Sequence, residues 1–411
     1  MASRCIITCV SFETVRYTYR LRPGAQAERA LTAEWHRCRW LWNEAVHQQK
    51  TGRKPTICKL SRLLTEARGR SAWLREGSQV AQQQALHAYV AALDASFKIP
   101  GRGRPKVKKR KVARLSLEYT TRGFTLPGGR LCLPKGVTVP VVWSRPLPSE
   151  PTSVRVFGDN LGHWYASFVV RRDPGPVPEA AAAIGIDWGV ITTATTTGPA
   201  YDLPYGGYRK RCAAELARAQ RKMARRARRR GRRLHGPQSR RYRDAERQAA
   251  RIAKKAARQN THAARLWARR VVDDHQLIAI EDFRPKFLGR SPMARKAADA
   301  AIGAAKRELI ERGVRAGRKV VLVQPAYTTM TCSECGERQA RLGLGQRIFR
   351  CASCGYTAGR DRNAARVILA TAERGRAGAD DISHSFPPPS RPRAGGQSEP
   401  KIPTLLAVGK R

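Results

Sequence analysis

The sequence predicts a multidomain α+β protein: a strand-rich amino-terminal part interrupted by helices, then an α/β layered domain carrying a four-cysteine knuckle. Three observations lead there. Alternating runs flank a long helical stretch in the first 171 residues, and short apolar runs alternate with helical periodicity after about residue 179. Two Cys-x-x-Cys pairs, Cys332/Cys335 and Cys351/Cys354, stand fifteen residues apart near the end. At 411 residues and 41% hydrophobic content, two to four domains can each bury a core.

Residues 1–22 alternate apolar and polar (Ile6, Thr8, Val10, then Val15, Tyr17, Tyr19, Leu21), the period of a strand. From about 26 to 98 the pattern is helical, in AQAERALTAEWHRCRWLWNEAVHQQK and SQVAQQQALHAYVAALDASFK. GRGRPKVKKRK at 101–111 is a basic, Gly/Pro-punctuated loop. Strand-like runs return between 114 and 171, and DPGPVPEA marks a boundary near 173–180. AAAIGIDWGVITTATTTG then reads as a buried strand, a turn at Gly189 and a Thr-rich strand. Residues 208–275 read as a long helical hairpin broken at His235-Gly236-Pro237, its second arm keeping Ile252, Ala256, Ala263, Trp267 and Val271 on one face. LIAI delivers Glu281, a helix covers about 291–317, VVLV at 320–323 is a strand, and a last helix follows. This order is that of a ribonuclease H-like layer architecture. Residues beyond 371, rich in Gly, Pro, Ser and Ala, read as disordered, and there is no internal repeat.

The chain holds 80 Lys and Arg against 31 Asp and Glu, a formal charge of +49. Self-repulsion on that scale opposes compaction unless a polyanion offsets it, and nucleic acid is the obvious one. A membrane is the weaker candidate, since no run of eighteen apolar residues occurs. The first twenty residues lack the apolar core of a signal peptide, which leads to the expectation of a reducing, cytoplasmic setting. There Cys5, Cys9, Cys38, Cys58, Cys132 and Cys212 would be free thiols and the four paired cysteines metal ligands.

Two thiolates two residues apart can point to one centre from a tight turn, and Gly336 and Gly355 follow the pairs as such turns require. Two turns complete a closed, structural site for one zinc ion; free core cysteines or a redox dithiol are the alternatives. Asp187 and Glu281 each end an apolar strand, and Asp361 begins the helix RNAARVILA. Carboxylates converging from rigid elements are what two hard divalent cations need for phosphodiester hydrolysis. Singly each is equally well a cap or a surface charge, Asp361 above all. Asp282 should point to the opposite face of its strand from Glu281. RAQRKMARRARRRGRR at 218–233 holds no acid, unlike a solvated helix face, so Arg221, Lys222, Arg225, Arg226 and Arg229 are phosphate-contact candidates, as are Arg102, Arg104 and Lys106 in the earlier loop. Trp35, Trp40 and Trp42 read as core residues, with base stacking the lesser reading.

The succession IGIDWGV, IAIEDF and YTTMTCSECG…FRCASCGYTAGRDRNAARVIL resembles a split RuvC nuclease domain with an inserted zinc ribbon. That is the signature of the TnpB family of transposon-encoded RNA-guided nucleases and of the compact type V CRISPR effectors related to it. YRLRP, RCRWLWNEAV, VAQQQALHAYVAALDASF and GRGRPKVKKRK are similar to the family's amino-terminal half, so the likeness covers about residues 10–370. It implies a β-barrel-like wedge domain (1–25 and 105–178) with an inserted helical recognition domain (26–104), and a RuvC domain (179–330) with a basic helical hairpin at 208–275. A zinc ribbon (331–357), the final RuvC helix (358–372) and a disordered tail (373–411) complete it. It implies Asp187, Glu281 and Asp361 as a catalytic triad holding two magnesium ions, and the four paired cysteines as ribbon ligands. Guide RNA and target double-stranded DNA would be the partners, in the bacterial cytoplasm and on the nucleoid when DNA is bound. Gln83 and Gln84 would face the short duplex motif flanking the target, where glutamine can read adenine. Where the family carries an aromatic after IAIEDF, this chain has Ile302. An RNA-guided binder that does not cut, a DDE-type transposase without guide, and a structural RNA-binding protein remain open as alternatives.

Overall fold

The computed structural model describes residues 12–51, 55–99, 101–110, 112–173, 178–231, 233–283, 293–339, 342–343, 345–375 and 379–381. The chain divides into two compact units, Met1–Pro174 and Gly175–Arg411. Cys5, Cys9 and the strand expected over residues 1–11 lie outside the described residues.

The first unit comprises β1 (Glu13–Leu21), α1 (Ala25–Lys50), α2 (Ile57–Arg70), α3 (Ala72–Arg75), α4 (Gln79–Lys98), β2 (Ser116–Thr120), β3 (Arg130–Leu133), β4 (Val137–Val142), β5 (Ser153–Gly158) and β6 (Trp164–Arg172). Its strands form one antiparallel sheet in the order β2-β5-β6-β1-β4-β3. The edges β2 and β3 do not pair, so the sheet is an open half-barrel. β1 pairs with β6 over its whole length, from Glu13 opposite Arg172 to Leu21 opposite Trp164, so the four helices are an insertion between two halves of one sheet. Alternation along β1 and β6 sends Val15, Tyr19, Ala166, Phe168 and Val170 inward, where Leu31, Trp35 and Cys38 of α1 meet them. Further along α1, Leu41, Trp42, Ala45 and Val46 pack with Leu60, Leu64, Leu86, Tyr89 and Leu93 of the other helices. Each fully buried leucine contributes roughly 1.5–3 kcal/mol relative to exposure.

The second unit comprises β7 (Ala182–Trp188), β8 (Thr192–Thr196), β9 (Leu203–Pro204), α5 (Tyr208–Arg211), α6 (Ala213–Arg226), β10 (Arg229–Arg230), β11 (Arg233–Leu234), α7 (Arg240–Asp274), β12 (His275–Glu281), α8 (Ala294–Ala300), α9 (Ile302–Arg315), β13 (Lys319–Val323), β14 (Ile348–Arg350), β15 (Thr357–Gly359), α10 (Arg360–Glu373) and β16 (Ala379–Asp381). The sheet order is β16-β13-β12-β7-β8-β9, with β7, β12 and β13 parallel. One face carries α7 and α9 over Ile184, Ile186, Ile278 and Ile280; the other carries α10 over Ala279, Val321 and Val323.

Several expectations need correction. The hairpin over 208–275 is not broken at 235–237 alone: α6 ends at Arg226 and a two-stranded ribbon, β10–β11, intervenes, so Arg229 lies on the ribbon rather than a helix. Ala264, not Ala263, is the buried residue at that level of α7. The helix expected over 291–317 is split at Ala301, which adopts a left-handed φ of 54°. Ile302 fills its place in the core at 1% exposure. The tail is not disordered throughout: Ala379–Asp381 pairs antiparallel with β13 at the sheet edge, whose open backbone groups invite such pairing. Residues 382–411 lie outside the described residues.

Candidate active site and metal centre

Strand parity assembles the acidic cluster. On β7, Ile184, Ile186 and Trp188 join the core under α7, which turns Gly185 and Asp187 to the α10 face. On β12, Ile278 and Ile280 do the same, leaving Ala279 and Glu281 toward α10. Parallel pairing of Ile186 with Ile280 brings the ends of the two strands level. α10 lies close because Gly185 has no side chain: a Cβ there would meet the Ala365 carbonyl oxygen at 2.0 Å. Its first turn therefore presents Asp361 to the same patch. Asp361 is not an N-cap, since the cap is Gly359 and no side chain caps the helix.

Asp187 and Glu281 are buried at 5% and 6% exposure and lie close enough for each carboxyl to act on the other. Burial, then the negative charges of Glu281 and Asp361, hold the Asp187 carboxyl well above the usual carboxylate range, with Arg360 opposing. Burial likewise pushes Glu281 up to about 7, against the Trp188 backbone N–H and the Lys306 charge. A pair of carboxyls so placed retains a proton until a cation replaces it. Asp282 turns to the other face, where Lys306 of α9 pairs with it at 2.7 Å.

Sequence reasoning missed the groups that hold α10 in place. Arg362 grips Asp202 with both guanidinium nitrogens, at 2.9 and 2.7 Å, and also donates to the Thr196 carbonyl oxygen. Asp202 in turn accepts from the Thr196 N–H at 2.8 Å. Asn363, fully buried, donates to the Thr331 carbonyl at 2.7 Å and accepts from the Ser333 N–H at 2.9 Å, so it brackets Cys332. Arg362 and Asn363 stand within the quoted GRDRNAAR motif; a rare acid such as Asp202 in so basic a chain was the available signal for its partner.

The four paired cysteines meet in one cluster, their sulfur atoms all within 4.8 Å of one another. Cys332 and Cys354 are 3.8 Å apart and Cys335 and Cys351 3.6 Å, too long for disulfides and close to the edge of about 3.8 Å that four thiolates at about 2.3 Å from a shared ion would define. The knuckles match: the N–H of Gly336 reaches the Cys332 carbonyl at 3.0 Å and that of Gly355 the Cys351 carbonyl at 3.1 Å, with φ of 77° and 75° at the two glycines. Backbone N–H groups of Cys354, then Ser353, hold the Cys351 thiol down at about 6. The cluster could hold a metal ion, and among the described residues it is the one group of three or more His, Cys, Asp or Glu gathered closely enough to do so as it stands. The acidic patch is looser: a buried pair of carboxyls with a third charge beside it.

Of the other expected contacts, Arg221, Lys222, Arg225 and Arg226 are exposed on α6, and Arg229 is exposed on the ribbon. Arg102, Arg104 and Lys106 are exposed on a loop docked through its backbone to α1: Trp42 Nε1 donates to the Lys106 carbonyl at 3.0 Å, and Asn43 accepts from the Lys108 N–H at 2.8 Å. Gln83 and Gln84 are half-buried, while their neighbour Gln82 is wholly buried and donates to the Leu74 carbonyl at 2.9 Å.

Two protein families match parts of the chain: one described as Cas12f1-like, TNB domain, over residues 304–368, and one described as probable transposase over residues 167–286. A candidate RNA-guided DNA endonuclease of Streptomyces pristinaespiralis is 30% identical over 406 residues, covering 96% of this chain and 97% of that protein. The candidate RNA-guided DNA endonuclease InsQ of Escherichia coli K12 is 25% identical over 86% of this chain and 91% of its own. The CRISPR-associated endodeoxyribonuclease Cas12f1 of Sulfoacidibacillus thermotolerans is 44% identical over 63 residues, 15% of each chain.

Proposed function

This chain belongs to the TnpB-like family, and from that premise we propose that it is an RNA-guided DNA endonuclease whose nuclease site is Asp187, Glu281 and Asp361. The observation that carries the reading is the convergence of these three acids on the α10 face of one sheet, two of them buried. In this reading residues 179–330 and 358–372 form a RuvC-type domain, 331–357 its zinc ribbon, and 1–178 the wedge and recognition domains. The protein would work in the bacterial cytoplasm, and among the described residues no helix is long and apolar enough to cross a membrane.

The donor sets fit the ions proposed. Acceptor-only carboxylates suit two magnesium ions, and four gathered thiolates suit one structural zinc ion. Bound magnesium would supply a more acidic water and offset charge on the scissile phosphate. The chain does the rest. Burial of Asp187 and Glu281 keeps bulk water from competing for their oxygens, and the Trp188 N–H favours the charged form of the Glu281 carboxyl. Lys306 holds Asp282 on the far face, and Arg362 with Asn363 sets the start of α10 and so the place of Asp361. Guide RNA and displaced target DNA would lie along Arg221, Lys222, Arg225, Arg226, Arg229, Arg102, Arg104 and Lys106, base pairing would choose the sequence, and Gln83 and Gln84 would face the flanking duplex.

The test is Asp187→Ala, purified with its guide RNA. Cleavage of a matched duplex in magnesium should fall on the order of 1,000-fold or more, while guide and target binding stay close to wild type. Undiminished cutting by the variant would overturn the site.

A further inference from the structure

We propose that Trp40 and Trp73 form a stacking platform for an unpaired nucleobase, a site on the amino-terminal unit that the nuclease chemistry does not use. Of the tryptophans on α1, Trp35 and Trp42 are buried at 7% and 9% exposure, but Trp40 is 40% exposed. Beside it stands Trp73 of α3, also 40% exposed, the two rings meeting edge to face with centroids 6.4 Å apart. Two large apolar rings left together in water call for an occupant, because isolated exposed side chains are common but paired exposed indoles are not.

Trp73 is held from its backbone side. Arg37, itself buried, donates from Nε to the Trp73 carbonyl at 2.5 Å and sets its guanidinium 5.7 Å from the Trp73 ring centre. The same guanidinium is tied to Glu76 at 3.0 Å and to Glu34 at 3.6 Å, so its charge is spent internally and its role is to fix the ring. Ser71 caps α3 by accepting from the Leu74 N–H at 3.4 Å, and Arg75 donates to the Arg68 and Gly69 carbonyls at 2.8 and 2.6 Å. A ring fixed before its ligand arrives loses little entropy on binding.

Charge selects the ligand. Residues 1–174 hold 31 Lys and Arg against 11 Asp and Glu, and Arg39, Arg70 and Arg75 flank the two rings in sequence. Exposed aromatic faces on a unit of net positive charge suit single strands, phosphates meeting cations while bases stack without regard to sequence. A second copy of the chain fits worse: it would bring the same positive charge, and two indoles offer far less than the roughly 1,200 Å² a stable interface needs.

The inference rests on the nucleic-acid-binding part of the function proposed above, and not on a guide or on cleavage. The test compares binding of a thymidine homopolymer with an abasic polymer of equal length, which keeps the phosphates and removes the bases, over a range of salt. The wild type should prefer the base-bearing strand by about tenfold. In Trp40→Leu/Trp73→Leu, which keeps apolar bulk, that preference should vanish while the slope of log affinity against log salt stays unchanged. Trp40→Phe/Trp73→Phe should retain most of it. A wild type that binds both strands equally, or a leucine variant that keeps the preference, overturns the platform. Loss of a wild-type dimer in the leucine variant, seen by sedimentation, would assign the rings to self-association instead. No binding of either strand would overturn the nucleic-acid reading as well.

Discussion

Asp187 is a carboxyl that the fold makes reluctant to ionise unless something positive joins it, and that reluctance has a measurable sign. Free carboxyls in an unfolded chain titrate near about 4. Asp187 and Glu281 are both raised by burial, Glu281 to about 7. Without a divalent ion, the unfolded chain therefore gives up these protons before the folded chain does. Stability is fully present below about pH 4 and declines as pH rises through about 7. Asp187→Asn removes the charge that burial penalises. In magnesium-free buffer it should melt a few degrees above wild type at pH 8, with the gap closing at pH 5. In the presence of magnesium the order should reverse, because only the wild type gains from binding the ion. A variant that melts with the wild type at pH 8 in magnesium-free buffer would show that the pair is not destabilised as its burial implies. Asp187 and Glu281 stand out in the sequence because each follows an apolar run that ends at a solvent boundary. The reach of Arg362 to Asp202, 160 positions away, does not, because nothing local in a sequence encodes a partner so distant.

At the scale of the element, α10 couples the two centres. Its residues Asn363, Ala364, Ala365, Val367 and Ile368 are buried, and its start is tied by Asn363 to the backbone on either side of Cys332. Its distance from the sheet is set by Gly185, a strand position where glycine is otherwise a weakness. Gly185→Ala must displace the helix, because the new methyl would meet backbone rather than a movable side-chain tip. We expect a loss of about 1–3 kcal/mol in denaturant unfolding, together with a fall in cleavage as Asp361 leaves the acidic pair. An alanine variant as stable and as active as wild type would mean that α10 does not rest on β7 at this point. The knuckle spacing, the strands β7, β12 and β13 and the helix after the second cysteine pair are legible in the sequence, because each has strong local periodicity or a fixed ligand interval. The breaks are less so. Ala301 adopts a left-handed turn that alanine does not advertise, and the β10–β11 ribbon interrupts an arginine-rich run whose composition alone suits a helix. The short strand at Ala379–Asp381 sits in a segment whose Gly and Ala content reads as disorder; it exists because β13 offers an open edge.

For the whole molecule the governing quantity is a formal charge of +49, with the cations at Arg221, Lys222, Arg225, Arg226 and Arg229 left exposed and unmatched by neighbouring acids in sequence. A chain evolved to meet a polyanion folds against its own repulsion when the polyanion is absent. Raising potassium chloride from about 0.1 M to about 1 M shortens the screening length from about 10 Å to about 3 Å, so it should stabilise the nucleic-acid-free protein. Its melting temperature should rise by several degrees over that range, opposite to the behaviour expected if surface ion pairs dominated. Among the described residues the exposed ion pairs, such as Arg247 with Asp244 and Arg269 with Asp273, are each worth at most about 1 kcal/mol and would be weakened by salt. Heparin, used as a probe polyanion without bases, should raise the melting temperature at low salt by neutralising the same charge, and that gain should disappear at high salt as counterions displace it. A melting temperature that falls with added salt, or that heparin leaves unmoved at low salt, would separate the charge from the fold's energetics and remove the strongest whole-molecule argument for a nucleic-acid partner.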